Sequence, residues 1–506
     1  MAFSVFSYGS FANRHLLKHE ELEKMTDPLA TSASAGTSAV KKIGTLQLAV
    51  IVFYTVSGGP IGIEETVRAG GAFYTLLGFF IFPIIWSIPE ALVTAELGSA
   101  YPEASGTVAW VEEAYGPFWG WIQGFLTWTS GATDNAIYPV LFLDYAVQAF
   151  HPEGELDPLT RFLMLSTTAL VLTYISYRGL DLVGDMSLMV CALSMTPFLV
   201  FCVVGMFKVD PSRWLQTPDL TMSATDDKTG PGLFAAAAGV GGIMWRPFLN
   251  NLFWNLNSFD SASCFAGEVT EPGRSFPRAM FGAVVMVMAG YLLPLLVALG
   301  ASTASQDQWV DGFMATVVSD TVGHWLGAWV VFGVCISNLG MFLSEMSSDA
   351  YQILGLAERG YLPKLFAKRS AYGTPTYGLI VGCCVILAMS VTDLTTLVEM
   401  LNFNYAVSLL LEYAAFVHLR ISKPTLERPY RIPLGTCGCI LMLIPPVVMT
   451  FVIMMLASYV TYAYAALTIV VALVIYRLRR VQVAMTYDAV EIEDVEAAEE
   501  ELPPMS

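Results

Sequence analysis

Two short stretches decide how this chain folds: Ser57-Gly58-Gly59-Pro60-Ile61-Gly62 and Trp254-Asn255-Leu256-Asn257-Ser258-Phe259-Asp260. The first lies near the centre of an apolar run over residues 43–68, the second at similar depth in a run over 243–269. Glycine and proline each oppose helix by about 1–3 kcal/mol, and a polar cluster at membrane depth is costly against lipid. Such interruptions are tolerated only where backbone is buried in protein or lines a cavity. Matching interruptions in two halves of a chain point to a binding site near the bilayer midplane. A packing kink is the alternative reading of either break alone. Two breaks, five spans apart, fit an inverted repeat of five helices plus five.

The rest of the sequence agrees with a membrane setting. Its 506 residues are 55% hydrophobic and only 13% charged, with a mean hydropathy of +0.59; soluble proteins carry about 25% charged residues. A hydrocarbon core of about 30 Å takes about 20 apolar residues per helix. Twelve runs qualify as spans: 43–68, 72–97, 119–150, 159–177, 182–207, 243–269, 280–300, 325–356, 376–391, 394–419, 437–456 and 459–477. None alternates with period two, which argues against a barrel. The expected fold is therefore an all-α polytopic membrane protein. Residues 1–42 read as a disordered tail, 43–435 as a ten-helix core, 436–478 as two appended helices and 479–506 as an acidic tail. With the amino terminus cytoplasmic, 19 of the 25 Lys and Arg face the cytoplasm. The positive-inside rule then sets both termini there, with the plasma membrane as the expected host and an endomembrane as the alternative.

Charge narrows the function. The formal net charge is −18, and so few basic residues cannot build a nucleic-acid face. The eight Cys lie in or beside spans and imply no disulfide framework. Phosphate-cradling loops, metal-ligand clusters and nucleophile motifs are missing from the sequence, so no enzyme, cofactor or metal is expected. The spans hold carboxylates instead: Glu64, Glu65, Glu90, Glu96, Asp134, Asp144, Asp260, Glu268, Glu345, Asp349, Glu399 and Glu412. No Lys or Arg lies near the middle of any span. Unpaired carboxylates in a low-dielectric interior take up protons or require cations from elsewhere. Glu96, Glu268, Asp349 and Glu412 lie toward span ends and read as interfacial or helix-pairing groups. The working carboxylates are expected to be Asp134 and Asp260, with Glu65, Glu90 and Glu345 as candidates for proton coupling. Acidic residues in outer loops (Asp210, Asp219, Asp226, Asp227, Asp307 and Asp311) would concentrate cations at an entrance.

Several stretches, in order, carry a family resemblance. They are Ser57-Gly58-Gly59-Pro60, Trp86-Ser87-Ile88-Pro89-Glu90-Ala91-Leu92, Asp134-Asn135-Ala136-Ile137-Tyr138-Pro139, Trp254-Asn255-Leu256-Asn257, Ala266-Gly267-Glu268-Val269, Glu358-Arg359-Gly360-Tyr361-Leu362-Pro363 and Arg428-Pro429-Tyr430-Arg431-Ile432-Pro433. Over residues 43–435 the chain resembles the amino acid–polyamine–organocation superfamily, most closely its eukaryotic polyamine/proton symporter branch. The resemblance implies a leucine-transporter-like fold with alternating access around the two broken helices. It also departs from the branch: Phe259 stands where a Trp is usual, and Ser258 where an aromatic is common, which opens volume.

A polyamine has ammonium groups on methylene spacers, and wants carboxylates or amide oxygens for its ends and aromatic faces for its stem. Asn135, Tyr138, Trp254, Asn255, Asn257, Phe259, Asn402, Asn404 and Tyr405 suit that need, around the broken backbone of Ser57, Gly58 and Gly59. Pro60 has no N–H, which weakens a backbone nest for a carboxylate and favours a polyamine over a zwitterionic amino acid. The leading expectation is a proton-coupled importer of putrescine- or spermidine-like cations. A carrier of cationic or neutral amino acids and a non-transporting nutrient sensor are the alternatives. A channel would not need two broken helices around a closed site.

Overall fold

A computed structural model of the chain describes residues 43–60, 62–150, 156–218, 242–389 and 394–500. The tail over residues 1–42 and the loop acids Asp219, Asp226 and Asp227 lie outside the described residues. The first helix, α1 (Thr45–Val56), is apolar along its length and ends where the glycines begin. Ser57 is extended, and Gly59 and Gly62 take φ of 88° and 69°, a left-handed backbone that disfavours any side chain. Helix resumes as α2 (Glu64–Phe82), which turns sharply at Gly71 (φ 69°, ψ 176°). The second half of the first apolar run is thus the short piece before Gly71.

A wide π turn, Pro83–Ser87, joins α2 to α3 (Ile88–Ala100). Short α4 (Thr107–Tyr115) precedes α5 (Pro117–Asn135) and α6 (Ile137–Phe150). These two meet at Ala136, so the run expected over 119–150 is two helices. Helices α7 (Pro158–Tyr177) and α8 (Leu180–Gly205) follow. Next, α9 (Trp245–Leu256) stops at the second polar cluster. Asn257 is extended there, Ser258 is left-handed (φ 72°), and the chain continues as a 3-10 segment, Phe259–Glu268. Beyond it come α10 (Pro272–Ala301), α11 (Phe313–Thr321), α12 (His324–Glu358) and α13 (Thr376–Met389). The last three are α14 (Leu394–Ser422), α15 (Thr436–Leu456) and α16 (Tyr459–Glu500). The last runs on through the acidic stretch, which is rich in the good helix formers Ala and Glu.

The two interrupted segments lie side by side and antiparallel. At one end Ile43 N–H donates to Glu268 O (3.1 Å) and Thr270 N–H to Ile43 O (3.2 Å); at the other, Met244 N–H donates to Ala69 O (2.9 Å). Between these ties a Cβ on Gly62 would meet the Trp254 ring at 3.0 Å, so the glycine lets the two breaks approach. Helix α12 packs against α8, α6, α5, α1 and the 3-10 segment, and so forms the centre of the molecule. Among the described residues, eight segments are long and apolar enough to cross a bilayer, and α1 and α13 are shorter apolar helices.

Candidate functional site

Asp134, near the end of α5, stands between two cavities. The first holds about 420 Å³ of atom-free space and is lined by Asp134, Asp260, Glu345 and Asp349, with hydroxyls from Thr127, Ser130, Ser258, Ser348 and Tyr405. The second, about 340 Å³, is lined by Thr55, Gly58, Asp134, Tyr138, Trp254, Asn255, Asn338 and Met341. Asp134 Oδ1 accepts the Trp254 indole N–H at 2.8 Å, and Oδ2 accepts the Tyr138 hydroxyl at 2.5 Å. Tyr138 reaches back from one turn further along, across the junction of α5 and α6. A Cβ on Gly131 would lie 2.1 Å from Asp349 Oδ1 and 2.9 Å from Glu345 Oε1. This glycine lets the α5 backbone touch two carboxylates on α12.

Glu90 is held behind the first cavity. The π turn brings Trp86 over it, and the indole donates to Oε2 at 3.1 Å. Oε1 accepts the Phe259 N–H at 2.6 Å and lies 3.0 Å from the Tyr405 hydroxyl. Tyr405 also hydrogen-bonds Asp260 Oδ1 and accepts the Ser258 N–H at 3.1 Å. Two backbone amides freed by the second break are therefore satisfied by side chains of α3 and α14.

The carboxylates of the spans divide by partner. Glu96 is sealed against Arg420 and Arg428, Glu268 pairs with Arg369 at 2.6 Å, and Asp144 pairs with Arg161 at 2.6 Å. Just past the end of α12, Arg359 grips Glu103 (2.6 Å) and Glu112 (2.7 Å). Burial works against that guanidinium, but its hydrogen bonds to Glu103 and Glu112 hold its pKa above the ordinary value. Among the described residues, no Lys, Arg or His pairs with Asp134, Glu90, Asp260, Glu345, Asp349 or Glu412.

Asp134, Asp260, Glu345 and Tyr405 thus meet in one cavity, and Gly58, Tyr138 and Trp254 line the other. Ser57 lies at the break itself and accepts the Gly59 N–H at 3.0 Å through its hydroxyl. Gly59 packs where a Cβ would meet Met195 at 2.3 Å. Asn135 is buried, and both its amide atoms are unpartnered among the described residues. Asn257 turns its oxygen to Ser258 at 2.9 Å, and the Phe259 side chain is buried away from both cavities. Asn402 and Asn404 tie α14 to Asn250 and Thr468. Glu65 lies apart from the cavities, half-exposed beside Arg68 at 3.5 Å; its neighbour Glu64 is the buried one. Asp349 and Glu412, expected to be interfacial or helix-pairing groups, are both buried. Asp349 lines the cavity, and Glu412 accepts Gln123 Nε2 at 2.6 Å. Helical spacing from Glu345 (i, i+4) was the signal for Asp349.

The sequence profile of the amino acid permease family matches residues 43–474. A probable polyamine transporter of Arabidopsis thaliana is 44% identical over 437 residues, 86% of each chain. The polyamine transporter PUT1 of rice is 43% identical over 421 residues, covering 83% of this chain and 75% of its own. The polyamine transporter RMV1 of Arabidopsis thaliana is 40% identical over 457 residues, 90% of this chain and 89% of its own. With a match over most of its length and helices suited to a bilayer, the chain is an integral, multi-pass membrane protein and belongs to the amino acid permease family.

Proposed function

We propose that the protein imports polyamines of the putrescine and spermidine class, coupled to protons, by alternating access. One observation carries this reading: four carboxylates face one cavity, and no cationic side chain among the described residues balances them. A diammonium substrate supplies the missing charge, and protons neutralise what it leaves. Asp134 and Asp260 are the ammonium acceptors in this reading, Trp254, Tyr138 and Tyr405 the aromatic contacts, and Glu90 and Glu345 the candidates for protonation. The names of the relatives, polyamine transporters at 40–44% identity, support the same substrate class.

The proposed architecture is twelve transmembrane helices in a leucine-transporter-like 5+5 inverted repeat, with the first and sixth helices broken and two helices appended. The opposite course of the two interrupted segments, tied at both ends, supports it. Both termini are assigned to the cytoplasm on the distribution of Lys and Arg, and the plasma membrane is the proposed host. An amino acid carrier is the second reading. Against it stands the first break, where Pro60 has no N–H and the Gly59 N–H is already bonded to Ser57. Uptake of radiolabelled putrescine and spermidine into proteoliposomes, with and without an inward proton gradient, tests the proposal. Uptake of arginine or leucine, with polyamines neither entering nor competing, would reject it.

A further inference from the structure

The Tyr405 hydroxyl sits where the second break, α3 and the first cavity meet. Its oxygen takes part in three hydrogen bonds: the Ser258 N–H donates to it at 3.1 Å, Glu90 Oε1 lies 3.0 Å away, and Asp260 Oδ1 is the third partner. Tyr405, Glu90 and Asp260 are all buried. The left-handed Ser258 (φ 72°) turns its amide to the phenol, so the break itself orients this junction. A phenol has one proton to give, and an ionised carboxylate has none. The amide supplies the hydrogen of one bond and the phenol that of a second. The third bond needs a hydrogen on one of the two carboxyl groups.

The partners of the carboxyls decide which one holds it. Glu90 already accepts two N–H groups, from Trp86 at 3.1 Å and from Phe259 at 2.6 Å, as an ionised carboxylate does. Asp260 is therefore the group that carries the proton while the cavity is empty, and Tyr405 donates to Glu90. The titratable groups around the three are acids as well: Asp134 on α5, Glu345 and Asp349 on α12, Cys264 on the 3-10 segment, and Glu412 and Tyr413 on α14. None of them brings a compensating positive charge. Arg420, further along α14, is bound to Glu96.

The geometry points to Tyr405 as a proton bridge: when a substrate ammonium reaches Asp260, the Asp260 proton passes through the phenol to Glu90. The inference rests on the polyamine–proton reading above and gives Tyr405 a part beyond its ring contact. In the shift, the Asp260 O–H bond breaks as one forms to the phenol oxygen, and the phenol O–H breaks as one forms to Glu90 Oε1. No electrons are transferred, and the summed charge of the three groups is unchanged. Negative charge moves from Glu90, behind the cavity, to Asp260 on its wall. The carrier then holds substrate and proton at once, as symport requires. When the substrate leaves, the reverse shift returns the proton to the cavity wall, facing whichever side is open.

The test uses the full-length protein in detergent, with putrescine as probe. Tyr405→Phe keeps the ring and removes the bridge, so a cation arriving at Asp260 must expel its proton to water. Calorimetry in buffers of differing ionisation enthalpy counts that proton. The variant should release about one proton per putrescine more than wild type, and its affinity should lose a further factor of about ten for each unit fall in pH. Equal release and equal pH dependence overturn the bridge alone. Should the variant not fold, infrared difference spectra of the wild type decide. Putrescine should shift a carboxylic acid band without loss of area, and Glu90→Gln should abolish the shift. A band that vanishes on binding, or does not respond, overturns the inference. In wild-type proteoliposomes, putrescine uptake without lumenal acidification defeats the underlying polyamine–proton reading instead.

Discussion

Trp254 donates its indole N–H to Asp134 at 2.8 Å, and this bond crosses the wall between the two cavities. It joins α9, just before the second break, to the end of α5. Asp134 therefore serves both spaces with one carboxylate whose direction is set by an indole and a phenol. A substrate cation in either cavity meets an oxygen that is already oriented, which lowers the cost of ordering on binding.

Trp254→Phe tests that orientation, because it keeps a ring in place and removes only the donor. A hydrogen bond to a charged group contributes about 1.5–3 kcal/mol, so the KM for putrescine should rise roughly tenfold or more. Thermal stability in detergent should change little, since the Tyr138 bond remains. An unaltered KM would mean that the indole merely packs.

The split between paired and unpaired carboxylates predicts opposite effects of similar substitutions. Glu96 and Arg420 are buried together, at 0% and 1% side-chain exposure. Arg420→Met leaves Glu96 short of a partner, and breaking a buried pair costs about 3–5 kcal/mol. The expected result is a large drop in melting temperature and yield. Glu345→Gln removes a charge that has no partner to lose, so stability should hold or rise while putrescine uptake falls roughly tenfold. If Glu345→Gln unfolds the protein, Glu345 belongs to the scaffold and not to the site.

Much of this arrangement is legible in the residues. Gly58, Gly59, Pro60 and Gly62 announce a break because local backbone preference there is strong and independent of distant contacts. Asp134, Asp260 and Glu345 are legible because a charge at mid-span has few bland explanations. Glu412 was hidden by its position: counted along the sequence it approaches a span end, but α14 runs to Ser422 and keeps it inside. The adjacent acids Glu64 and Glu65 were ambiguous for another reason. Where α2 starts, and how it turns after the break, decides which of them faces inward, and Glu64 does. Gly131 carries no signal in sequence, since its role is a close approach to α12 that only tertiary packing creates.

Selectivity against carboxylates can be tested at the first break. Ser57 Oγ occupies the Gly59 N–H at 3.0 Å, and position 60 has no N–H to offer. Pro60→Gly alone restores one donor; combined with Ser57→Ala it exposes two. Ornithine is putrescine with an added carboxylate, so it is the sensitive competitor. The double variant should be inhibited by ornithine roughly tenfold more strongly than wild type, as expected for new charge-assisted bonds. Unchanged competition would show that the amides at this break do not decide substrate class.

Closure below the first cavity depends on a close approach of backbones. A Cβ on Gly355 of α12 would lie 2.4 Å from Ser105 Cα and N, and one on Gly106 would lie 2.3 Å from Ser263 Oγ. The turn between α3 and α4 is thus wedged between α12 and the 3-10 segment, where Cys264 lines the cavity. Arg359 fastens the same turn through Glu103 and Ser105, and the α4 helix that follows it through Glu112. Gly355→Ala cannot be absorbed by a flexible side chain, and overpacking of this kind costs about 1–3 kcal/mol. We expect the turn to separate from α12 and Cys264 to become more reactive toward a small alkylating reagent, read peptide by peptide against buried Cys383. Arg359→Gln should act in the same direction by removing the fastening charge. If Cys264 stays as protected as Cys383 in both variants, the turn is not the barrier that closes this cavity.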